Sequence, residues 1–116
     1  MSEAVDAYTH VYQTILACGI PGTYEAYPVG HVPELPWFVY LLDEAGSTFA
    51  DDDNYAAIPR FRVELYEVSR DEDLESSIAD AIREAYGPVD VLPTWVTDEG
   101  VHMVTYSFAF TPKETE

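Results

Sequence analysis

The chain has one cysteine, Cys18, and only five lysines and arginines against 22 aspartates and glutamates in 116 residues. A lone thiol forms no internal disulfide, and with no second cysteine nearby it suggests no metal knuckle. Free cysteines favour burial, so Cys18 is expected as a buried residue at a helix end. The shortage of cations leaves a formal net charge of −17. A surface so acidic repels phosphate, which argues against sequence-independent nucleic-acid binding through lysine and arginine and against docking on an anionic membrane. No stretch reaches the roughly 18 apolar residues of a bilayer span, and the opening MSEAVDAY has neither the basic end nor the apolar centre of a signal peptide. A chain made in, and kept or assembled in, a reducing cytoplasm is expected.

Familiar catalytic signatures are missing too. There is no G-x-S-x-G elbow and no glycine-rich phosphate loop, and Cys18 follows a helix where a reactive thiolate would open one. His10, His31 and His102 include no pair spaced to share a metal. Carboxylate pairs are so numerous that any choice of acid and base would be arbitrary. The expectation is a protein that is not an enzyme and holds no cofactor and no metal.

What the chain does have is apolar and aromatic substance: 47% hydrophobic residues, with nine tyrosines, five phenylalanines and two tryptophans. That content argues against acidic disorder and for one folded domain over residues 1–116, frayed at 1–2 and 112–116. In residues 3–18, Val5, Tyr8, Tyr12, Ile15 and Leu16 recur at helical spacing, and Gly19 and Pro21 end the run. Four prolines between residues 21 and 36 read as an extended, stiff loop. WFVYLLD, from Trp37, is short, β-prone and apolar on both faces, a strand covered by the core on one side and by a neighbouring subunit on the other.

Further on, Phe61, Val63 and Leu65 alternate with Arg60, Arg62, Glu64 and Tyr66, the period of a half-exposed strand. A helix follows, with Ser69 or Asp71 as cap, acids in its first turn, Leu74, Ile78, Ile82 and Ala85 or Tyr86 as its buried stripe, and Gly87 as terminator. TWVT, a turn at DEG and VHMVTYSFAF form a hairpin with Gly100 at a positive-φ position. On its last strand Val104, Tyr106, Phe108 and Phe110 share a face with His102 at its end. The expected fold is α+β, a mostly antiparallel four-stranded sheet with two helices on one face, in the order α-β-β-α-β-β.

Between the first two strands lies STFADDDNY, with Asp51, Asp52 and Asp53 in a row. A calcium loop counted from Asp51 fails, because glycine is needed at the sixth position and glutamate at the twelfth, where Ala56 and Arg62 stand. Asp51, Asp53 and Asn54 could offer hard oxygens to a divalent ion, but a solvated loop is the expected reading.

PWFVYLL, STFADDDNY and RFRVELYEVSRDEDLESSIADAI, taken in order, resemble a family of small tailed-phage proteins described as tail-completion, tail-terminator or head-tail joining proteins. The likeness covers about residues 36–86 well and the hairpin loosely; EVSRDED is more acidic than the family's turn. The resemblance implies a virion protein assembled in the host cytoplasm, a ring, usually of six copies, that caps the tail tube. It would contact the tail tube protein and the head-completion or connector proteins while DNA passes through without specific binding. A carboxylate-lined lumen would then repel the moving genome. On that reading Asp51, Asp52 and Asp53 are candidates for the lumen or a docking loop. Trp37, Phe38 and Tyr40 are candidates for the subunit interface. Arg60 and Arg62 could pair with a neighbour's carboxylates, although Glu64 on the same face is a nearer partner. The rival from another class is an acidic DNA mimic that inhibits a restriction enzyme or another DNA-binding protein.

Overall fold

The computed structural model describes residues 3–43, 58–96 and 100–111. Its elements are α1 (Glu3–Leu16), β1 (Gly22–Tyr24), β2 (Trp37–Leu42), β3 (Arg60–Glu67), α2 (Glu72–Tyr86), β4 (Val89–Val96) and β5 (Val101–Ala109). Two helices and a five-stranded sheet of order β1-β2-β3-β5-β4 make a mixed α+β fold. β1 runs parallel to β2, and the other neighbours are antiparallel.

The strand count and order correct the sequence expectation: the described residues form five strands where four were expected, in the order α-β-β-β-α-β-β. The additional strand, β1, is three residues long and lies in the proline-rich stretch. It is too short to display a period, and it forms because β2 offers an edge to pair with. Phe38 N–H donates to the Pro21 carbonyl at 3.0 Å, and Gly22 pairs in register with Phe38.

β3 and β5 form as the alternation of their side chains predicts. On β3, Phe61, Val63, Leu65 and Glu67 point inward and are buried. On β5 the inward set is His102, Val104, Tyr106 and Phe108. Opposite residues of an antiparallel pair share a face, so the pairs Phe61↔Phe108, Val63↔Tyr106, Leu65↔Val104 and Glu67↔His102 form one continuous inner surface. Val11 and Ile15 of α1 and Ile78 and Ile82 of α2 close over it, all with no solvent exposure. Each such side chain contributes on the order of 1.5–3 kcal/mol by leaving water.

α2 ends as its sequence dictates. Of the two candidate caps, Asp71 is the one used: its backbone is extended and its Oδ1 accepts from Leu74 N–H at 3.1 Å. Gly87, at φ 102°, donates its N–H to the Arg83 carbonyl. Gly100 also takes a positive φ, 65°, beside the β4–β5 hairpin. β4 is longer than TWVT and accommodates Pro93 because it is an edge strand. Cys18 lies just beyond α1, and it is half-buried where full burial was expected, since the chain is already turning away through Gly19 at φ 97°.

β2 is covered on both faces, but within its own chain. Phe38 and Tyr40 belong to the inner core at 0% and 9% exposure. Trp37 and Val39 face the other way, and Val39 is still only 4% exposed. The segment between β1 and β2 folds back there: the Tyr27 ring meets Trp37 edge-on at 5.2 Å, and Trp37 lies against Tyr66 at 4.7 Å. No neighbouring subunit is needed to explain that apolar face.

Candidate functional site

The inner face changes character at one end. Alternation that buries Phe61, Val63 and Leu65 also turns the next odd residue inward, and that residue is Glu67. Its partner across the ladder is His102, inward by the same rule on β5. Above them, the α2 stripe that carries Ile78 and Ile82 begins one turn earlier with Glu75. Glu67, Glu75 and His102 are 2%, 8% and 5% exposed. Three polar side chains from three elements thus meet where the core pattern calls for apolar ones.

Their contacts are specific. His102 Nδ1 lies 3.1 Å from Glu67 Oε2 and 3.8 Å from Glu75 Oε2. The other oxygen of each carboxyl is held from outside. Asp71 N–H donates to Glu67 Oε1 at 3.1 Å, and Arg70 Nη2 donates to Glu75 Oε1 at 2.6 Å, with Arg70 Nε 3.3 Å from Oε2. Tyr106 O–H donates to the Glu75 carbonyl at 2.8 Å, tying α2 to β5 beneath the cluster. The Trp95 ring lies 6.3 Å from the His102 ring, centre to centre.

Burial and surroundings divide the two carboxyls. Burial pushes Glu67 up to about 8, aided by its hydrogen bond to Glu75 and by the Glu75 charge. Burial opposes ionisation of Glu75 as well, but the hydrogen bonds from Arg70 and Glu67 outweigh it and hold that carboxyl below its ordinary value. Of the two carboxyls Glu67 is therefore the one that keeps a proton more readily, and Glu75 the one that ionises more readily. A cleft of about 550 Å³, bounded by Leu35, Pro36, Arg70 and Asp71 among others, reaches Glu67 from the surface. The arrangement can hold a proton between two carboxyls, or a cation in its place.

The residues singled out by sequence are distributed differently. Asp51, Asp52 and Asp53 lie outside the described residues, as does Asn54. Phe38 and Tyr40 have their side chains in the core of their own chain, so they are not available to a neighbour, while Trp37 packs on the opposite face. Arg62 pairs with Glu64 at 3.0 Å and approaches Asp43 at 3.8 Å, the local pairing that the shared face suggested. Arg60 reaches Asp90 on β4 at 3.8 Å. From sequence His102 is set aside as a ligand and expected at the surface or half-buried, whereas it is buried; Glu75 reads only as a first-turn acid of the helix, and Glu67 and Arg70 are not singled out. The available signal was the extension of two apolar periods, one of two residues and one helical, onto glutamates. No protein-family model and no curated protein sequence matches this chain.

Proposed function

We propose that the chain is a non-catalytic ring subunit of a long-tailed phage or prophage, one that closes the tail tube and joins it to the head. The observation that carries the reading is the state of β4. This strand forms one edge of the sheet, and it leaves Val91, Leu92 and Trp95 exposed at 42%, 63% and 51%. An open strand edge invites pairing, and proteins that must stay apart usually blunt it with charge. A tryptophan and two aliphatic residues on the edge of a chain of net charge −17 suit contact with another copy.

The dimensions support the same reading. The body measures 46 × 32 × 26 Å. When six bodies touch in a closed ring, their centres lie one spacing from the axis, so the hole is about one subunit wide and passes duplex DNA. Acidic side chains facing that hole would repel phosphate and leave the genome nothing to bind. Asp51, Asp52 and Asp53 remain the candidates for the lumen or for the surface facing the next ring, and Arg60 for a contact with a neighbour's carboxylates.

The test has two arms. Sedimentation velocity over about a hundredfold range of protein concentration should show a monomer passing to a closed oligomer, with six-membered rings in negative-stain images. Immunogold labelling of particles from a host that carries the gene should mark the junction of head and tail. A chain that stays monomeric throughout and is absent from every particle would overturn the proposal.

A further inference from the structure

The buried cluster at the end of the sheet has the layout of a metal centre. Glu67, Glu75 and His102 come from β3, α2 and β5, and one donor atom of each lies within 4.8 Å of the other two. Zinc bonds of about 2.0–2.2 Å at a tetrahedral angle place neighbouring donors about 3.3–3.6 Å apart. The separations from His102 Nδ1, 3.1 Å to Glu67 and 3.8 Å to Glu75, bracket that range. We propose that Glu67, Glu75 and His102 form a binding site for a divalent transition ion of the zinc type.

Three features beyond the donor set point to an ion. First, each carboxyl is oriented from outside: Asp71 N–H holds Glu67 Oε1, and the Arg70 guanidinium holds Glu75 at 2.6 Å through Oε1 and at 3.3 Å through Oε2, while Oε2 of both carboxyls also faces His102 Nδ1. Metal ligands are fixed in this way by partners outside the coordination sphere. Second, the cleft that reaches Glu67 is rimmed by Asp71, Glu72 and Asp73, an acidic approach that raises local cation concentration and offsets the charge of Arg70. Third, Arg70 is half exposed, so it can adjust as the ion enters while keeping its bond to Oε1.

The donor chemistry selects among ions. One imidazole and two carboxylate oxygens suit zinc, cobalt or manganese. Calcium takes six to eight oxygens, and magnesium keeps several waters in an octahedral shell, so neither is matched by this small mixed set. Because the ligands join two strands and the first turn of α2, an ion there clamps the helix to the sheet, and binding adds to fold stability by mass action. The inference is independent of the ring proposal.

The probe is zinc itself, titrated calorimetrically into the full chain after chelator treatment and dialysis, with cobalt substitution as the spectroscopic check. The expected result is one site per chain, a raised melting temperature, and with cobalt a visible band of tetrahedral intensity. His102→Ala should abolish the site, whereas His31→Ala, an exposed histidine outside the cluster, should leave it intact. Arg70→Gln should weaken binding by about tenfold or more, as loss of an outer partner does. If His102→Ala does not fold, the cobalt spectrum of the unaltered chain decides the matter. Absence of zinc binding by that chain, a cobalt spectrum of octahedral type, or undiminished binding by folded His102→Ala would each overturn the proposal.

Discussion

The ring of Phe38 lies directly over Gly22, so that a β carbon added to the glycine would collide with three of its ring atoms. The two residues are partners in the parallel β1–β2 ladder, and the short strand can approach because position 22 carries no side chain. Phe38 is fully buried and has little room to move aside. Gly22→Ala should therefore destabilise the fold by about 1–3 kcal/mol through overpacking, read as a fall in the urea midpoint with an unchanged slope. Adding Phe38→Leu should recover part of the loss, because the two changes share one contact and are not additive. Full additivity of the two losses would show that the contact is not what constrains position 22.

Asp71 caps α2 and also supplies the backbone N–H that anchors Glu67. Only the first role depends on its side chain. Asp71→Ala should lower stability by about 1 kcal/mol, and Asp71→Ser should lose much less, since serine still accepts from the Leu74 N–H. Neither change should displace Glu67. Equal losses for alanine and serine, measured by urea unfolding, would mean that the cap contributes nothing.

The contrast between β3 and β1 explains what the sequence could disclose. β3 and β5 span eight and nine residues, long enough for alternation to emerge, and α2 carries both cap and terminator. β1 spans three residues, and its pairing with β2 is a property of the folded chain. The aromatic run of β2 implies cover on both faces, but composition does not distinguish a second subunit, the expected outer cover, from Tyr27, which lies against Trp37 there. The same blindness hid the buried cluster. Glu67, Glu75 and His102 are separated by 8 and 27 positions in the sequence, and with 22 acids present no glutamate stands out until register brings three elements together.

Glu67 gives a pH dependence of definite sign. In the folded, ion-free protein its proton is held up to about 8, against an ordinary value of 4.5. The folded state thus binds more protons across that interval, and stability falls as pH rises through it. Glu75 acts in the opposite sense, since its carboxyl is held low and its contribution is lost as pH falls below the ordinary range. The groups around Glu67 are Glu75, Arg70, His102 and the Asp71 N–H. Unfolding free energies from urea titrations in chelator should decline from pH 5 to pH 8, by at most about 1.4 kcal/mol per unit for one proton. Glu67→Gln keeps an uncharged hydrogen-bonding group there and should flatten the decline. A Gln variant with the same slope as the unaltered chain would assign the effect to other groups.

Leu92 separates assembly from folding better than Trp95 does. It is 63% exposed on β4, and it pairs with Thr105 on the face away from the helices, so the chain's own core does not use it. Leu92→Glu should change monomer stability by no more than about 0.5 kcal/mol, as surface substitutions generally do. It adds charge to an edge of an already acidic body, and like charges meeting at a subunit contact oppose association. Self-association should weaken at least tenfold in sedimentation velocity, with the monomer's circular dichroism unchanged. Trp95→Ala should weaken it as well, because buried tryptophans commonly carry more than about 1 kcal/mol of an interface, but this change also removes a neighbour of His102. The leucine variant therefore carries the decision: a folded Leu92→Glu chain that assembles as well as the unaltered one would exclude β4 as the surface through which the ring closes.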